Sequence, residues 1–128
     1  MENLEIHKIE GEQFKPNVSF NANTGLCEIS GESFLEETTS FYKPIVNWIK
    51  EYIKTNKPIK FNFKLTYINT SSSKHILHIL KLLNEYIDEG GSVETNWYIE
   101  EGDTDTEEDV EDYSIITGLK INSIQIKQ

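Results

Sequence analysis

The sequence predicts a mixed α/β fold in a single domain spanning residues 1–128. The chain has 128 residues, a length typical of one domain. Apolar residues recur with either an alternating or a helical period along most of it. Segments with the two periods follow one another, which implies parallel strands joined by right-handed crossovers, with helices packed on the sheet.

The N-terminal part predicts antiparallel strands. A run from Leu4 to Ile9 alternates in part and predicts a first, weakly specified strand. The stretch Asn17 to Ser30 places two apolar segments around residues 21–25, whose Asn, Thr and Gly residues favour a turn. We therefore expect a β-hairpin in front of the parallel strands.

A helical period replaces the alternation from Glu36 to Thr55, where large apolar side chains recur every three or four residues. Ser33 and Glu36 have the spacing of a capping box, so the helix should begin just after them. Pro44 is expected in the first turns or at a kink, because a proline deep inside a helix costs about 3 kcal/mol.

Two further strand–helix units and a final strand complete the prediction. The expected elements are a strand from Ile59 to Ile68, a helix after residues 69–73 that stops at Gly90–Gly91, a strand from Val93 to Ile99, a short helix from Glu107 to Ile116 that ends at Gly118, and a strand from Leu119 to Ile126. Successive parallel strands end at the same edge of a sheet. The turn after Ile68 and the loop after Ile99 should therefore lie side by side.

Negative charge is concentrated in one segment. The chain has 12 basic and 22 acidic residues, a net charge of −10, and residues 100–112 alone hold nine of the acidic ones. This balance argues against a nucleic acid or an anionic membrane surface as the partner. The segment predicts either a solvated face or a contact for a basic protein surface, with Asp103, Asp105 and Glu107 as the contact candidates.

The sequence gives little support for a metal site, a cofactor or a catalytic function. Residues 103–107 resemble the start of a calcium loop, but Glu108 stands where glycine is required and Ser114 where glutamate is needed. No phosphate-binding loop, nucleophile elbow or Cys-x-x-Cys pair occurs, so we predict no enzyme, metal or cofactor. The lone Cys27, the acidic N-terminus and the lack of a membrane-length apolar run predict a soluble cytoplasmic protein.

The segment Asn69 to Ser73 is a row of residues that favour helix N-caps, and it follows a predicted strand directly. One interpretation is capping alone. The other is a phosphoacceptor, because a phosphate at a helix N-terminus meets free backbone amides and the positive end of the helix dipole. Such a phosphate adds about −1.5 to −2 charge, so it should change binding at the surface more than it changes the fold.

The residues Tyr67 to Lys74, Tyr-Ile-Asn-Thr-Ser-Ser-Ser-Lys, resemble the phosphorylation segment of the SiaC-like regulatory phosphoproteins, whose fold is similar to that of STAS-domain anti-anti-sigma factors. Three further segments match in order: Gly31–Phe34 before a helix with Trp48, Trp97–Tyr98 before acidic residues, and Glu111–Tyr113 before the last strand. The resemblance implies a STAS-like domain in which a hairpin and parallel strands pack with about three helices.

The resemblance also implies a partner-switching protein without catalysis of its own, acting in biofilm-type signalling. Thr70 maps to the residue that a Ser/Thr kinase with a histidine-kinase-like ATPase fold phosphorylates and a PP2C-type phosphatase restores. The unphosphorylated form is expected to bind and activate a diguanylate cyclase, which raises cyclic di-GMP. Ser71 and Ser73 are the weaker acceptor candidates, and Asn69, Ser71 and Lys74 join Thr70 as expected partner contacts.

Two alternatives stay open. An anti-anti-sigma factor would use the same Thr70 face to capture an anti-sigma kinase. A small hydrolase would need His75 or His78 as a base for the hydroxyl cluster, although no oxyanion motif accompanies them. The same two histidines are spaced to face one metal, but exposed helix histidines are the favoured interpretation because no third ligand is in view.

Overall fold

A computed structural model describes residues 1–7 and 15–127 of the chain. Within these residues the elements are β1 (Leu4–Ile6), β2 (Asn17–Phe20), β3 (Leu26–Ser33), α1 (Thr39–Ile53), β4 (Ile59–Ile68), α2 (Thr70–Asp88), β5 (Val93–Glu100), α3 (Thr104–Thr117) and β6 (Asn122–Ile126). The first predicted strand is therefore present as β1, and Ile9, its predicted last residue, lies outside the described residues.

The strands form one mixed sheet whose spatial order follows the chain from β1 to β6. The β1–β2 and β2–β3 pairs are antiparallel, and the three pairs from β3 to β6 are parallel. This confirms the predicted α/β class, with an N-terminal hairpin, parallel strands and three helices.

The helices cover one face of the sheet. Right-handed crossovers between strands that are neighbours in chain order place every helix on the same side, and α2 contacts both α1 and α3. The core between the layers is aromatic: Phe63 stacks on Phe61 at 4.5 Å and on Trp97 at 4.6 Å between ring centroids. The opposite face carries ion pairs, Lys64–Glu28 at 3.0 Å and Lys60–Glu94 at 3.6 Å, which suits a surface in contact with water.

The predicted start of α1 is wrong. Strand β3 continues to Ser33, which is opposite Ile68 of β4 and fully buried, so this serine is not part of a capping box. The helix begins at Thr39, and the Glu37 carboxylate accepts the backbone N–H groups of Thr39 at 2.9 Å and Ser40 at 3.3 Å. Pro44 lies within the second turn of α1, as expected.

The C-terminal boundaries also differ from the prediction. Helix α3 begins at Thr104 rather than Glu107, because Asp103 acts as its N-cap and accepts the backbone N–H of Thr106 at 3.1 Å. Its end at Gly118, with φ 78°, is confirmed, and so is the end of α2 before Gly90. The last strand begins at Asn122, three residues after the predicted Leu119. None of the described helices is long and apolar enough to span a membrane.

Candidate functional site

The turn between β4 and α2 is held by Asn69. Its side-chain oxygen accepts the backbone N–H of Ser72 at 3.0 Å, so Asn69 is the N-cap of α2. Its amide nitrogen donates to the Leu35 carbonyl at 2.8 Å, and its backbone N–H donates to the Ser33 carbonyl at 3.0 Å. Because Asn69 meets the capping requirement, the hydroxyl of Thr70 is not needed for it.

The four hydroxyls that follow differ in their surroundings. Thr70, the first residue of α2, is exposed, and its hydroxyl makes no hydrogen bond within the described residues. Ser71 is half-buried, 3.5 Å from the Asn69 side-chain oxygen. Ser72 is fully buried, and the half-buried Ser73 lies 2.9 Å from the Tyr113 hydroxyl. Thr70 is therefore the most accessible acceptor of the four, and its phosphorylation stays a prediction.

Replacing Asn69 should destabilise the turn in two separable ways. Asn69→Ala removes both the cap and the donor to Leu35, and we expect the free energy of unfolding to fall by about 1 to 2 kcal/mol. Asn69→Ser keeps a capping oxygen and loses only the donor to Leu35, so its free energy of unfolding should fall less. Urea unfolding measures both variants, and equal losses would contradict the double role of Asn69.

A buried chain of hydroxyls lies under this turn. Ser33 Oγ donates to Ser72 Oγ at 2.8 Å and lies 2.6 Å from the Tyr42 hydroxyl. All three side chains are fully buried, and burial raises the pKa of Tyr42 to about 12. Since the single proton of Ser33 goes to Ser72, the Tyr42 hydroxyl donates to Ser33. These hydroxyls join α1, β3 and the first turn of α2, and the sequence pattern did not predict this connection.

The side chain of His75 contacts Thr38 and Tyr42. Its Nε2 lies 3.1 Å from Thr38 Oγ1, and its ring stacks on Tyr42 with 5.1 Å between centroids. The histidine is half-buried, so the expectation that it is exposed is wrong, whereas His78 is exposed as expected. Within the described residues no group of three or more His, Cys, Asp or Glu side chains is placed to hold a metal ion.

The surroundings of His75 make stability depend on pH. Burial first, and then the neighbouring charge of His78, hold the pKa of His75 below its usual 6.5. The stabilisation that the neutral ring gives is complete above the pKa that histidine has in the unfolded chain. It is lost as the pH falls from there through the lower pKa of His75 in the folded chain. As the pH falls below about 6.5, His75→Gln should therefore weaken the fall in the free energy of unfolding, while His78→Gln should retain most of that fall. Equal pH profiles for wild type and His75→Gln would contradict this assignment.

The structure separates the three acidic contact candidates. Asp103 is engaged as the N-cap of α3, where it also accepts the Thr106 hydroxyl at 2.6 Å. Asp105 faces the groove between β4 and α3, whereas Glu107 lies on the other side of α3 and accepts a hydrogen bond from Gln125 at 3.3 Å. Of the three, only Asp105 is both in the groove and free of a structural hydrogen bond within the described residues.

Thr70 and the acidic segment are neighbours, as the shared sheet edge implies. A groove of about 380 Å³ beside the turn is lined by Ile68, Thr70, Ser73, Lys74, Leu77, Asp109 and Tyr113. Lys74 is four residues after Thr70 and thus on the same helix face. Asp109 was not singled out from the sequence, although it lies four residues after Asp105 and so shares its face of α3.

Comparisons with known proteins agree with this description. The model of a family described as SiaC family regulatory phosphoprotein matches residues 9–126. An uncharacterized protein from Pseudomonas aeruginosa strain UCBPP-PA14 is 28% identical over 91 residues, which cover 70% of this chain and 72% of the relative.

Solved structures share the fold. Apo-SiaC from Pseudomonas aeruginosa superposes with a TM-score of 0.85 at 23% identity, covering 97% of this chain and 99% of the other. SiaC bound to SiaD, described as a diguanylate cyclase in complex with its activator, gives 0.87 at 22% identity, covering 96% and 99%. The family match extends over nearly the whole chain and confirms the predicted family. The chain therefore belongs to the SiaC family of regulatory phosphoproteins.

Proposed function

We propose that this chain is a non-catalytic partner switch whose unphosphorylated form binds and activates a diguanylate cyclase. Family membership and the description of the similar SiaC as the activator of a diguanylate cyclase support this proposal. The observation that carries it is the exposed hydroxyl of Thr70, which has no structural task in the described chain because Asn69 caps the helix.

A phosphate on Thr70 would be tolerated by the fold and would change the surface. It would lie at the positive end of α2 and four residues before Lys74, where both the helix dipole and an ammonium group favour it. An effector that packs over Thr70 would have to bury this dianion against the apolar side chains of Ile68 and Leu77, which line the same groove. Desolvation of the charge would weaken the complex.

The chain depends on other proteins for the chemistry of the cycle. We propose a Ser/Thr kinase with a histidine-kinase-like ATPase fold and a PP2C-type phosphatase as the two enzymes that act on Thr70. Because the kinase and the cyclase use ATP and GTP, the cycle would take place in the cytoplasm. Of the two candidate bases for a hydrolase, His75 contacts Thr38 and Tyr42, which makes this alternative the weaker proposal.

Isolation of the effector tests the proposal. Tagged Thr70→Ala protein, which cannot be phosphorylated at this position, is purified from the cells that make the natural chain, and the copurifying protein is identified and assayed for synthesis of cyclic di-GMP. We expect a diguanylate cyclase whose activity rises at least several-fold when the protein is added. Copurification of an anti-sigma kinase, with no cyclase, would favour the anti-anti-sigma function and contradict the proposal.

A further inference from the structure

A second, larger groove opens beside Thr70 and has an aromatic wall. This groove, here named the β4–α3 groove, has a volume of about 620 Å³ and runs between the end of β4 and the first turns of α3. Its lining residues are Thr66, Tyr67, Ile68, Glu100, Glu101, Gly102, Asp103, Asp105, Thr106 and Asp109. It shares Ile68 and Asp109 with the smaller groove that contains Thr70, so the two form one continuous surface.

Tyr67 leaves a large aromatic side chain in water. The inward-facing side chains that precede it in β4, Phe63 and Leu65, are almost completely buried, whereas Tyr67 is 66% exposed. Ile68, the next residue, adds a half-buried apolar side chain to the same wall. Exposed tyrosines beside a pocket are typical anchors of protein interfaces, because the ring gives a large apolar contact and the hydroxyl still reaches a polar partner.

The facing wall of the β4–α3 groove is rich in carboxylates. Five of the lining residues are acidic, and none of the described residues that line the groove is basic. Within the described part of the chain, the carboxylates of Glu101, Asp105 and Asp109 take part in no hydrogen bond or ion pair. Burial, and then repulsion from Asp112, Asp105 and Asp103, raise the pKa of Asp109.

We propose that the β4–α3 groove is the docking surface for a basic segment of the effector protein, in which lysine or arginine flanks an apolar side chain. The cation would lie between Asp105 and Asp109, and the apolar side chain would pack on Tyr67 and Ile68. An acidic or neutral segment would leave the carboxylates unpaired, so charge complementarity selects the basic partner. The inference rests on the proposed function only in assigning the segment to the effector.

The groove and Thr70 would then have different tasks. The groove supplies affinity and attracts the partner over a distance of about 8 Å, the screening length at physiological salt. Thr70 supplies the discrimination between the two phosphorylation states. A variant that lies only in the β4–α3 groove, such as Asp105→Lys, should therefore weaken the binding of both states by a similar factor, whereas variants of Thr70 should change the ratio between them.

A pair of matched double variants tests this assignment. Asp105→Lys with Asp109→Lys reverses two charges in the groove. Glu107→Lys with Glu111→Lys makes the same change in net charge at the same spacing, on the side of α3 that faces the last strand. In both backgrounds Tyr67 is replaced by the photo-crosslinking residue p-benzoylphenylalanine in living cells, and the crosslinked peptide is sequenced. The same crosslinker at Ile115, which is 72% exposed at the far end of α3, is the control for random contact.

We expect the Tyr67 crosslink to map to a segment with at least two lysine or arginine residues next to an apolar one. The 105/109 pair should reduce crosslinking and affinity at least tenfold, and the 107/111 pair less than threefold. An acidic or uncharged crosslinked segment, or equal effects of the two pairs, would overturn the docking surface. If the groove behaves as expected but the basic segment belongs to a protein other than a cyclase, the proposed effector fails and the surface stands. If the effector is a cyclase whose binding changes in variants of Thr70 but not in the 105/109 pair, the docking surface fails and the proposed effector stands.

Discussion

Thr70→Asp should weaken binding of the effector at least tenfold, a loss of about 1.4 kcal/mol in binding free energy. The carboxylate imitates part of the phosphate charge at the first position of α2, and the effector must desolvate it against Ile68 and Leu77. The fold should be unaffected, with the free energy of unfolding within about 0.5 kcal/mol of wild type, because an acidic residue in the first turn of a helix is favourable. Calorimetric titration of the purified effector measures the first quantity, and urea unfolding the second.

Thr104→Asp is the matched control for this experiment. Thr104 is also an exposed threonine at the first position of a helix, directly after the N-cap Asp103 of α3. The same charge placed there should leave effector affinity within about twofold of wild type. Equal weakening by both variants would mean that general negative charge, not the site at Thr70, governs binding.

Thr70→Ala should bind the effector as well as wild type does and should not be phosphorylated by the kinase.

Of the variants proposed here, Gly25→Ala should lower the free energy of unfolding the most, by about 2 to 4 kcal/mol. Gly25 has a φ of 76°, where a Cβ costs about 1 to 2 kcal/mol. An added Cβ would also overlap the Pro58 carbonyl oxygen and crowd the Tyr52 hydroxyl, which donates to that carbonyl at 2.9 Å. Overpacking against backbone adds about 1 to 3 kcal/mol. The midpoint of urea unfolding should fall accordingly, without a change in its slope.

Gly102→Ala separates the two causes. Gly102 has a similar φ of 88°, but nothing lies within 4 Å of an added Cβ, so only the backbone strain should appear, at about 1 kcal/mol. A loss at Gly25 no larger than the loss at Gly102 would show that the loop before β4, which contains Pro58, moves away from residue 25 at little cost. The packing of the hairpin turn against the start of β4 would then contribute little to stability.

The elements with strong periodicity could be predicted from the sequence. Strand β4 has the predicted bounds Ile59–Ile68, and α2 ends before Gly90 as predicted, although it begins at Thr70, within the predicted capping stretch 69–73. In both elements, the local sequence pattern and the tertiary packing favour the same secondary structure. The start of α1 could not be predicted, because the spacing of Ser33 and Glu36 fits a capping box while pairing with Ile68 keeps Ser33 in the sheet. Sheet pairing is a long-range interaction that a local motif does not report.

The candidate site divides in the same way. Asn69 and Thr70 stand together in the sequence, so a local motif indicated the cap and the acceptor. The second bond of Asn69, to the Leu35 carbonyl 34 residues earlier, is a long-range contact that the local motif does not indicate. Tyr67 continues the alternation of a buried strand and gave no signal of exposure. Asp109 is one of many acidic residues, and only the position of α3 beside β4 distinguishes it from Glu107.

The phosphorylation state of the natural protein tests the account most directly. The protein is isolated from its own cells with phosphatase inhibitors present, its intact mass is measured, and the peptide from Tyr67 to Lys81 is sequenced by mass spectrometry. We predict a mass increment of one phosphate, located on Thr70 and absent from the Thr70→Ala variant. A phosphate on Ser71 or Ser73 would contradict the assignment of the acceptor. An unmodified peptide under every growth condition would contradict the switch itself and leave the segment as the cap of α2.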